Sequence, residues 1–209
     1  SLATASDRES YKEMNFIYKF IKRVLDIVCS ILGIIVLSPI LVIVSILIKL
    51  ESKGPIIFKQ LRAGKGSKPF YIYKFRSMKI VTPNIATNDF TDSHVYITRI
   101  GKIIRKTSID EIPQLFNILK GDMSFVGPRP EWNELCYGYM KNIPYYNLRH
   151  LIKPGVTGWA QVMYPYGIST EDAYRKLEYD LYYMKHQDVM MDLKIVFRTV
   201  KIVIFAKGL

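Results

Sequence analysis

The longest feature in the hydropathy pattern is an uncharged apolar segment near the beginning of the chain. It covers residues 27–48, and these 22 residues are enough for a helix that crosses the roughly 30 Å hydrocarbon core of a bilayer. Ser38-Pro39 stands in its middle, where a proline removes one backbone hydrogen bond and disturbs the preceding turn. The pattern leaves two structures open: one kinked transmembrane helix, and a re-entrant helix-hairpin that bends at Ser38 and Pro39.

Basic residues on both flanks of this segment favour the hairpin. Positively charged flanks stay on the cytoplasmic side of a membrane, so a hairpin satisfies both flanks whereas a span satisfies one. The flanking basic residues are Lys19, Lys22, Arg23, Lys49 and Lys53. We therefore expect a re-entrant membrane helix-hairpin over residues 16–53, preceded by a flexible polar segment at residues 1–15.

Strand-like composition and turn residues predict the elements that follow. Residues 55–60 and 70–76 have the composition of strands, and a Gly-Lys-Gly-Ser turn at residues 64–67 joins them, which predicts a β-hairpin. Residues 79–98 are polar and irregular and indicate a loop. The predicted helices are residues 99–106, 110–119 and 170–186. We expect one domain over residues 54–209 and a fold of the α+β class that is mainly helical.

The last helical pattern, at residues 192–205, is amphipathic and carries a basic stripe. Lys194, Arg198 and Lys201 share one face at helical spacing, and apolar side chains fill the remainder. At 14 residues the segment is too short to span a bilayer. A basic stripe on an apolar helix suits the membrane interface, and the alternative is a core helix with a solvated stripe.

The composition narrows the function classes. The chain carries 30 Lys and Arg against 18 Asp and Glu, a formal net charge of +12, and its hydrophobic fraction is 49%. This combination excludes a disordered chain, which is low in hydrophobicity, and favours an anionic membrane surface as a partner. The long apolar segment argues against a nucleic-acid binder. The cysteines and histidines form neither a disulfide framework nor a zinc-ligand spacing.

The adjacent acids Asp110 and Glu111 are the main candidates for chemistry, and two interpretations stay open. In the first, Ser108 and Glu111 form a capping box and Asp110 lies in the first helical turn, where the helix dipole favours acids. In the second, one carboxylate is a nucleophile and the other a Mg²⁺ ligand, because magnesium binds oxygen ligands and substrate phosphates. Arg105 and a helix N-terminus would then hold a phosphate beside them.

Four motifs occur in order along about residues 16–209. They are the Ser-Pro-broken apolar hairpin, Ile-Tyr-Lys-Phe-Arg-Ser-Met at residues 72–78, the run from Ser-Ile-Asp-Glu to Gly-Pro-Arg-Pro at residues 108–130, and Pro-Gly-Val-Thr-Gly-Trp-Ala-Gln-Val at residues 154–162. With these motifs the chain resembles the bacterial monotopic phosphoglycosyl transferases, the bacterial sugar transferase family. The resemblance implies a re-entrant membrane helix-hairpin, amphipathic interfacial helices and a β-hairpin around one catalytic domain.

The resemblance also implies an activity. Members of this family transfer a phospho-sugar from a UDP-sugar to undecaprenyl phosphate and release UMP, which begins polysaccharide or glycoconjugate assembly. The family's nucleophile matches Asp110, which would form a covalent aspartyl phospho-sugar in a ping-pong cycle. Its Mg²⁺-binding partner matches Glu111, and Ser38-Pro39 matches the break that makes the membrane helix re-entrant. The implied location is the cytoplasmic face of the bacterial inner membrane.

Further positions match residues around the family's active site. Lys74 and Arg105 match basic residues there, and Pro128-Arg129-Pro130 matches a loop associated with the nucleotide. Electrostatics agrees with these basic positions, because a diphosphate repels a carboxylate nucleophile unless Mg²⁺ and basic side chains neutralise the diphosphate. Asp180 lies in a family-typical position, and it is either a support of the active site or half of a structural ion pair.

One segment departs from the family pattern. Small members carry Asn-Gly-Arg where this chain has Met-Tyr-Pro-Tyr-Gly at residues 163–167, so no donor specificity is carried over. Residues 171–183 are instead similar to exopolysaccharide-type members. The expected partners are a UDP-sugar, undecaprenyl phosphate and anionic lipids, without nucleic acid, and a homodimer is left open. The non-enzymatic alternative is a basic membrane-surface module that recruits glycan-assembly partners.

Overall fold

The computed structural model describes residues 16–80, 96–164, 167 and 169–205. Over these residues the protein is mainly helical and has two small sheets of two strands each, in agreement with the expected fold class. The predicted flexible segment at residues 1–15 lies outside the described residues, and so do residues 81–95 of the predicted loop.

The apolar segment forms one long helix, α1 (Phe16–Glu51), which continues through Pro39. The missing N–H of Pro39 would have bonded to the carbonyl of Ile35, four residues earlier. The hydroxyl of Ser38 donates to that carbonyl at 2.8 Å and replaces the lost bond. The helix therefore tolerates the proline, and the two separate arms of the expected hairpin are not seen.

One stripe of α1 packs against the rest of the chain, and its other sides expose apolar side chains. Tyr18, Val44 and Ile48 are buried on the stripe, at spacings that keep them on one side of the helix. On the other sides, Val36 is 72% exposed and Leu50 is 79% exposed. By length and composition the helix could cross a membrane. An exposed apolar surface of this length indicates contact with a membrane or with another protein.

Polar contacts tie both ends of α1 to the rest of the protein. At the N-terminal end, the Tyr18 hydroxyl donates to Asp192 Oδ2 at 2.8 Å. At the C-terminal end, the buried guanidinium of Arg76 donates to the carbonyl oxygens of Ser52 and Lys53 at 2.8 and 2.7 Å. Arg76 thus satisfies carbonyl groups that the end of the helix leaves without partners. Both ends of α1 are consequently fixed to the same folded unit.

The predicted β-hairpin is confirmed. Strands β1 (Ile57–Ala63) and β2 (Pro69–Phe75) pair antiparallel, and Lys65–Ser67 forms a 3₁₀ turn between them. Ile72 of β2 is buried in the core. Because alternate residues of a strand face the same side, Lys74 leaves β2 on the side of Ile72.

Two short helices flank the acidic pair. The predicted helix over residues 99–106 is confirmed as α2 (Arg99–Lys106), and α3 (Gln114–Lys120) follows after a 3₁₀ turn at Ile109–Glu111. The predicted helix over residues 110–119 therefore begins later than expected. The reason is Pro113, which has no N–H to donate and stands immediately before α3.

Two of the basic residues that flank the apolar segment have partners inside the protein. Lys22 Nζ lies 2.5 Å from Asp192 Oδ2. The guanidinium of Arg23 donates to the carbonyl oxygens of Ile118 and Leu119 at 2.6 and 2.7 Å. Arg23 therefore caps the C-terminal turn of α3, where a positive charge is favourable.

A short parallel sheet positions the loop that contains Pro128, Arg129 and Pro130. β3 (Ser124–Val126) pairs with β4 (Gly155–Thr157), and a Cβ atom built on Gly155 would lie only 2.1 Å from the backbone nitrogen of Gly127. Glycine at position 155 thus permits the close approach of the two backbones. Helices α4 (Asn133–Asn142) and α5 (Trp159–Met163) follow β3 and β4 along the chain.

The chain continues with α6 (Thr170–His186), which confirms the predicted helix, and α7 (Val189–Ile204). In α7, Ile195 is fully buried whereas Phe197 is 80% exposed. A core helix with only a solvated basic stripe would not expose phenylalanine to this extent. The exposure therefore favours the interfacial interpretation of this helix.

Candidate functional site

Glu111 lies at the centre of a group of charged side chains from three separate parts of the chain. Lys74 Nζ lies 2.6 Å from Glu111 Oε1, and Arg129 Nη2 lies 3.3 Å from the same oxygen. Lys74 comes from β2, Glu111 from the 3₁₀ turn before α3, and Arg129 from the loop after β3. With Asp110, these three residues are called the Glu111 cluster below.

The backbone at Ser108 determines how the two acids are presented. Ser108 adopts a left-handed conformation with φ of 55°, which is unfavourable for a residue with a side chain. Its side chain makes no capping hydrogen bond, so the capping-box interpretation of Ser108 and Glu111 is wrong. Because a 3₁₀ helix turns by about 120° per residue, Asp110 and Glu111 leave the backbone in different directions. This arrangement suits two different roles for neighbouring carboxylates.

The carboxyl group of Glu111 is ionised at neutral pH. Burial alone would raise its pKa, but the charges of Arg129 and Lys74 outweigh burial and lower the pKa to about 2. Hydrogen bonds from both cations contribute in the same direction. Glu111 is therefore a permanent negative charge that holds two cations side by side.

Asp110 lies in a different electrostatic environment from its neighbour. Burial raises the pKa of Asp110, and the negative charge of Glu111 adds to this effect, whereas the charges of Lys74 and Arg105 oppose it. A carboxylate that is incompletely hydrated is a stronger nucleophile toward phosphorus than one surrounded by water. Burial opposes ionisation in both acids, and Asp110 is the one in which its effect on the pKa outweighs that of the neighbouring cations.

Lys74 is held in place by a residue that sequence reasoning missed. The side chain of Asn117, fully buried in α3, accepts a hydrogen bond from the backbone nitrogen of Tyr73 at 2.9 Å and donates to the carbonyl of Tyr71 at 2.7 Å. The side-chain amide thus satisfies backbone groups of β2 as a neighbouring strand would, and it does so at Tyr73, one residue before Lys74. A polar residue in a short helix gives no sequence signal that distinguishes this role from solvent exposure.

Pro128, Arg129 and Pro130 form the loop from which the Arg129 side chain reaches Glu111. Both prolines are buried and Arg129 is exposed between them. Arg105 lies exposed in the last turn of α2. Its positive charge acts on the cluster by lowering the pKa of Asp110. Lys74 and Arg129 thus contact Glu111 directly, and Arg105 lies at the edge of the cluster.

Asp180, in α6, lies away from the acidic pair. It is 1% exposed, and its Oδ2 lies 2.7 Å from Nη2 of the buried Arg149. Arg149 in turn donates from Nη2 to the carbonyl of Arg129 at 2.9 Å. Asp180 is therefore half of a buried ion pair, and this ion pair reaches the backbone of the loop that carries Arg129.

The carboxylates of the cluster would suit a magnesium ion that took its other ligands from a phosphate-bearing substrate. Among the described residues no group of three or more His, Cys, Asp and Glu side chains could hold a metal alone. Magnesium usually takes one or two carboxylates together with substrate phosphates, and Asp110 and Glu111 supply adjacent carboxylates. Lys74 and Arg129 both donate to Oε1 of Glu111, so they orient its carboxylate.

Comparison with known proteins adds independent information. A family model described as bacterial sugar transferase matches residues 17–206. A UDP-N-acetylgalactosamine-undecaprenyl-phosphate N-acetylgalactosaminephosphotransferase of Aeromonas hydrophila is 44% identical over 192 residues, which are 92% of this chain and 45% of the relative. A UDP-glucose:undecaprenyl-phosphate glucose-1-phosphate transferase of Escherichia coli K12 is 41% identical over 87% of this chain and 40% of the relative.

A third relative has almost the same extent as this chain. The exopolysaccharide production protein PSS of Rhizobium leguminosarum bv. phaseoli is 41% identical over 186 residues, 86% of this chain and 93% of the relative. The chain spans less than half the length of the two transferases named first. The family model, which matches residues 17–206, spans α1 from its second residue, the Glu111 cluster and α7.

Proposed function

The chain belongs to the bacterial sugar transferase family, and from that premise we propose that it transfers a sugar 1-phosphate from a UDP-sugar to undecaprenyl phosphate and releases UMP. The observation that carries the proposal is the Glu111 cluster, in which two adjacent carboxylates meet Lys74 and Arg129. The names of two relatives include the same classes of donor and acceptor. The exposed apolar side chains of α1 and α7 support a lipid acceptor.

Asp110 is the nucleophile in this proposal. A carboxylate oxygen of Asp110 forms a bond to the phosphorus that carries the sugar, and the bond from this phosphorus to the bridging oxygen breaks, so UMP leaves with the electron pair. In the second half-reaction an oxygen of undecaprenyl phosphate attacks the same phosphorus and releases the Asp110 carboxylate. An ionised carboxylate needs no general base to attack the phosphorus.

The cations of the cluster lower the repulsion between Asp110 and the donor. Lys74 and Arg129 lie on one carboxylate oxygen of Glu111, so two positive charges are held beside the nucleophile before the donor arrives. Arg105 adds a third positive charge near Asp110. Glu111 would hold Mg²⁺, which would supply further neutralisation of the diphosphate.

The test is UMP release by the purified chain with undecaprenyl phosphate, Mg²⁺ and a panel of UDP-sugars. The panel is needed because one relative uses UDP-N-acetylgalactosamine and another UDP-glucose. We expect Asp110→Asn to lower turnover by about 10³-fold or more, because an amide cannot form the covalent intermediate. The control is Glu178→Gln, an exposed residue of α6. Near-normal turnover of Asp110→Asn would contradict the covalent mechanism.

We also propose that α1 enters one leaflet at the cytoplasmic face of the bacterial inner membrane without crossing it. The support is that Tyr18 at one end and Arg76 beside the other end join α1 to the same folded unit. A helix that crossed the bilayer would carry its two ends to opposite faces, away from a common unit. The exposed apolar sides of α1 would then face the lipid chains.

Cysteine labelling tests this topology. The exposed Cys29 is first replaced by serine, and single cysteines are then introduced at Lys19 and Lys53. A membrane-impermeant thiol reagent should label both positions from the same side of sealed vesicles. Labelling from opposite sides would restore the transmembrane interpretation. Cys136 is buried and serves as an internal control that stays unlabelled in the folded protein.

A further inference from the structure

The loop that carries Arg129 is held by its carbonyl groups. Four consecutive carbonyl oxygens, those of residues 128–131, accept hydrogen bonds from other parts of the protein. The donors are, in order, the Gly155 backbone nitrogen at 2.9 Å, Arg149 Nη2 at 2.9 Å, Arg62 Nη1 at 3.2 Å and the Ala63 backbone nitrogen at 3.1 Å. Because two of the four residues are prolines without an N–H, these donors determine where the loop lies.

Arg149 is the donor that reaches the backbone of Arg129 itself. Its side chain is 5% exposed, and besides the carbonyl of Arg129 it donates from Nη1 to the hydroxyl of Tyr146 at 2.6 Å. The guanidinium also lies over the Tyr146 ring, 5.1 Å from its centroid. Asp180, 2.7 Å away, balances its charge. The guanidinium is thus held on three sides, and the remaining contact is the carbonyl of Arg129.

A buried ion pair needs an explanation beyond stability. Removing two charges from water costs about as much as their attraction returns, so an apolar pair of similar size is often equally stable. Arg149 and Asp180 are both almost completely buried. What an apolar pair could not provide is a directed hydrogen bond to the carbonyl of Arg129.

We propose that Arg149, held by Asp180 and Tyr146, is a positioning residue that fixes the backbone of Arg129 so that the Arg129 side chain meets Glu111 and the phosphates of the donor. The inference rests on the proposed function, because it gives Arg149 its role through Arg129. Arg149 does not touch the reacting atoms. The planar guanidinium donates in several fixed directions at once, which a lysine ammonium cannot reproduce.

The first experiment compares Arg149→Lys with the parent chain in the UMP-release assay. We expect kcat to fall by about 10- to 100-fold while KM for the UDP-sugar changes less. The reason is that a displaced Arg129 side chain stabilises the transition state less well, whereas binding of the ground state is affected less. The matched control is Arg175→Lys. Arg175 lies on α6 like Asp180, but it is exposed and pairs with Glu171 and Glu178 at the surface.

A double-mutant cycle distinguishes positioning from a general structural role. If Arg149 acts through Arg129, then Arg149→Lys should cost less than about twofold in an Arg129→Ala background, because the side chain it positions is gone. Equal losses in both backgrounds would overturn the proposal, since a structural defect does not depend on Arg129.

A charge-free variant covers the case in which Arg149→Lys folds poorly. Arg149→Met combined with Asp180→Leu removes the buried charges together, so no uncompensated charge remains. We expect this variant to keep the thermal stability of the parent and still lose about 10-fold or more in kcat. Parent-like kcat in this variant would overturn the positioning role and leave the proposed function standing. A parent chain that releases no UMP from any UDP-sugar would overturn both.

Discussion

Helix α1 and the Glu111 cluster are stabilised by opposite kinds of contact. α1 presents an apolar surface along most of its length, and polar contacts at its ends and at the buried Asp26 join it to the rest of the protein. The Glu111 cluster consists of charged side chains from three short segments, each at a defined distance from its neighbour. The first region depends on average composition and the second on geometry. Substitutions should therefore change stability or membrane association in α1, and change catalysis in the cluster.

After Asp110→Asn, the largest effect is expected for Glu111→Gln. The substitution removes the negative charge that holds Lys74 and Arg129 together, and it also removes a carboxylate available to Mg²⁺. We expect turnover to fall by about 10²-fold or more, a loss typical of removing a preorganised charge from an active site. The assay is UMP release, with Glu178→Gln as the control. Turnover within threefold of the parent would remove Glu111 from the mechanism.

Lys74→Met should change the pH dependence as well as the rate. Burial raises the pKa of Asp110 and Lys74 opposes this effect, so removing the lysine raises that pKa further. Asp110 must be ionised to attack, so the acidic limb of the kcat/KM profile should move to higher pH. Lys120→Met, at an exposed position of α3, is the control. An unmoved or lowered acidic limb would contradict Asp110 as the titrating nucleophile.

Breaking the contact at the N-terminal end of α1 should affect stability more than catalysis. Lys22→Met leaves Asp192 without its ion-pair partner, although the hydroxyl of Tyr18 still donates to it. We expect a loss of about 2 kcal/mol in the free energy of unfolding, below the range for a fully buried pair. Thermal unfolding in detergent micelles measures it, with the exposed Lys19→Met as the control. Turnover of the folded fraction should stay within twofold of the parent.

A large fall in the turnover of folded Lys22→Met would mean that α1 and the Glu111 cluster are coupled. It would then be wrong that substitutions in α1 change stability while substitutions in the Glu111 cluster change catalysis.

The smallest effect is expected inside α1. Ser38→Ala removes the hydroxyl that bonds to the carbonyl of Ile35 in place of the missing N–H of Pro39. We expect a cost of about 1 kcal/mol in the free energy of unfolding. In a Pro39→Ala background the backbone supplies its own N–H, and the same serine substitution should then be nearly neutral. An equal cost in both backgrounds would show that Ser38 has another role.

Local pattern was sufficient for several elements. Turn residues and strand composition predicted the β-hairpin, and helical periodicity predicted α2 and α6. The helix after the acidic pair begins later than the predicted residue 110, because Pro113 has no N–H to donate. The capping box at Ser108 was wrong because the residue adopts a left-handed backbone conformation that no local pattern indicates.

The residues that hold the site in place were beyond sequence reasoning. Asn117 and Arg149 hold β2 and the Arg129 loop, and Arg76 plays the same part at the end of α1. All three are buried polar residues that bond to backbone groups distant in the sequence. A sequence pattern distinguishes polar from apolar positions, but it does not show which polar residue is buried. Their roles depend on a backbone that passes within hydrogen-bond distance, and only the folded chain provides it.

The apolar character of α1, the excess of basic residues and the order of the motifs follow from composition and from neighbours along the chain, so they can be read from the amino-acid sequence. The meeting of Lys74 and Arg129 on one oxygen of Glu111, 37 and 18 residues away in the chain, depends on the folded arrangement. Such contacts are selected by the packing of β2, α3 and the loop after β3 together. The energies that select them arise from many distant pairs, and no single segment of the chain contains them.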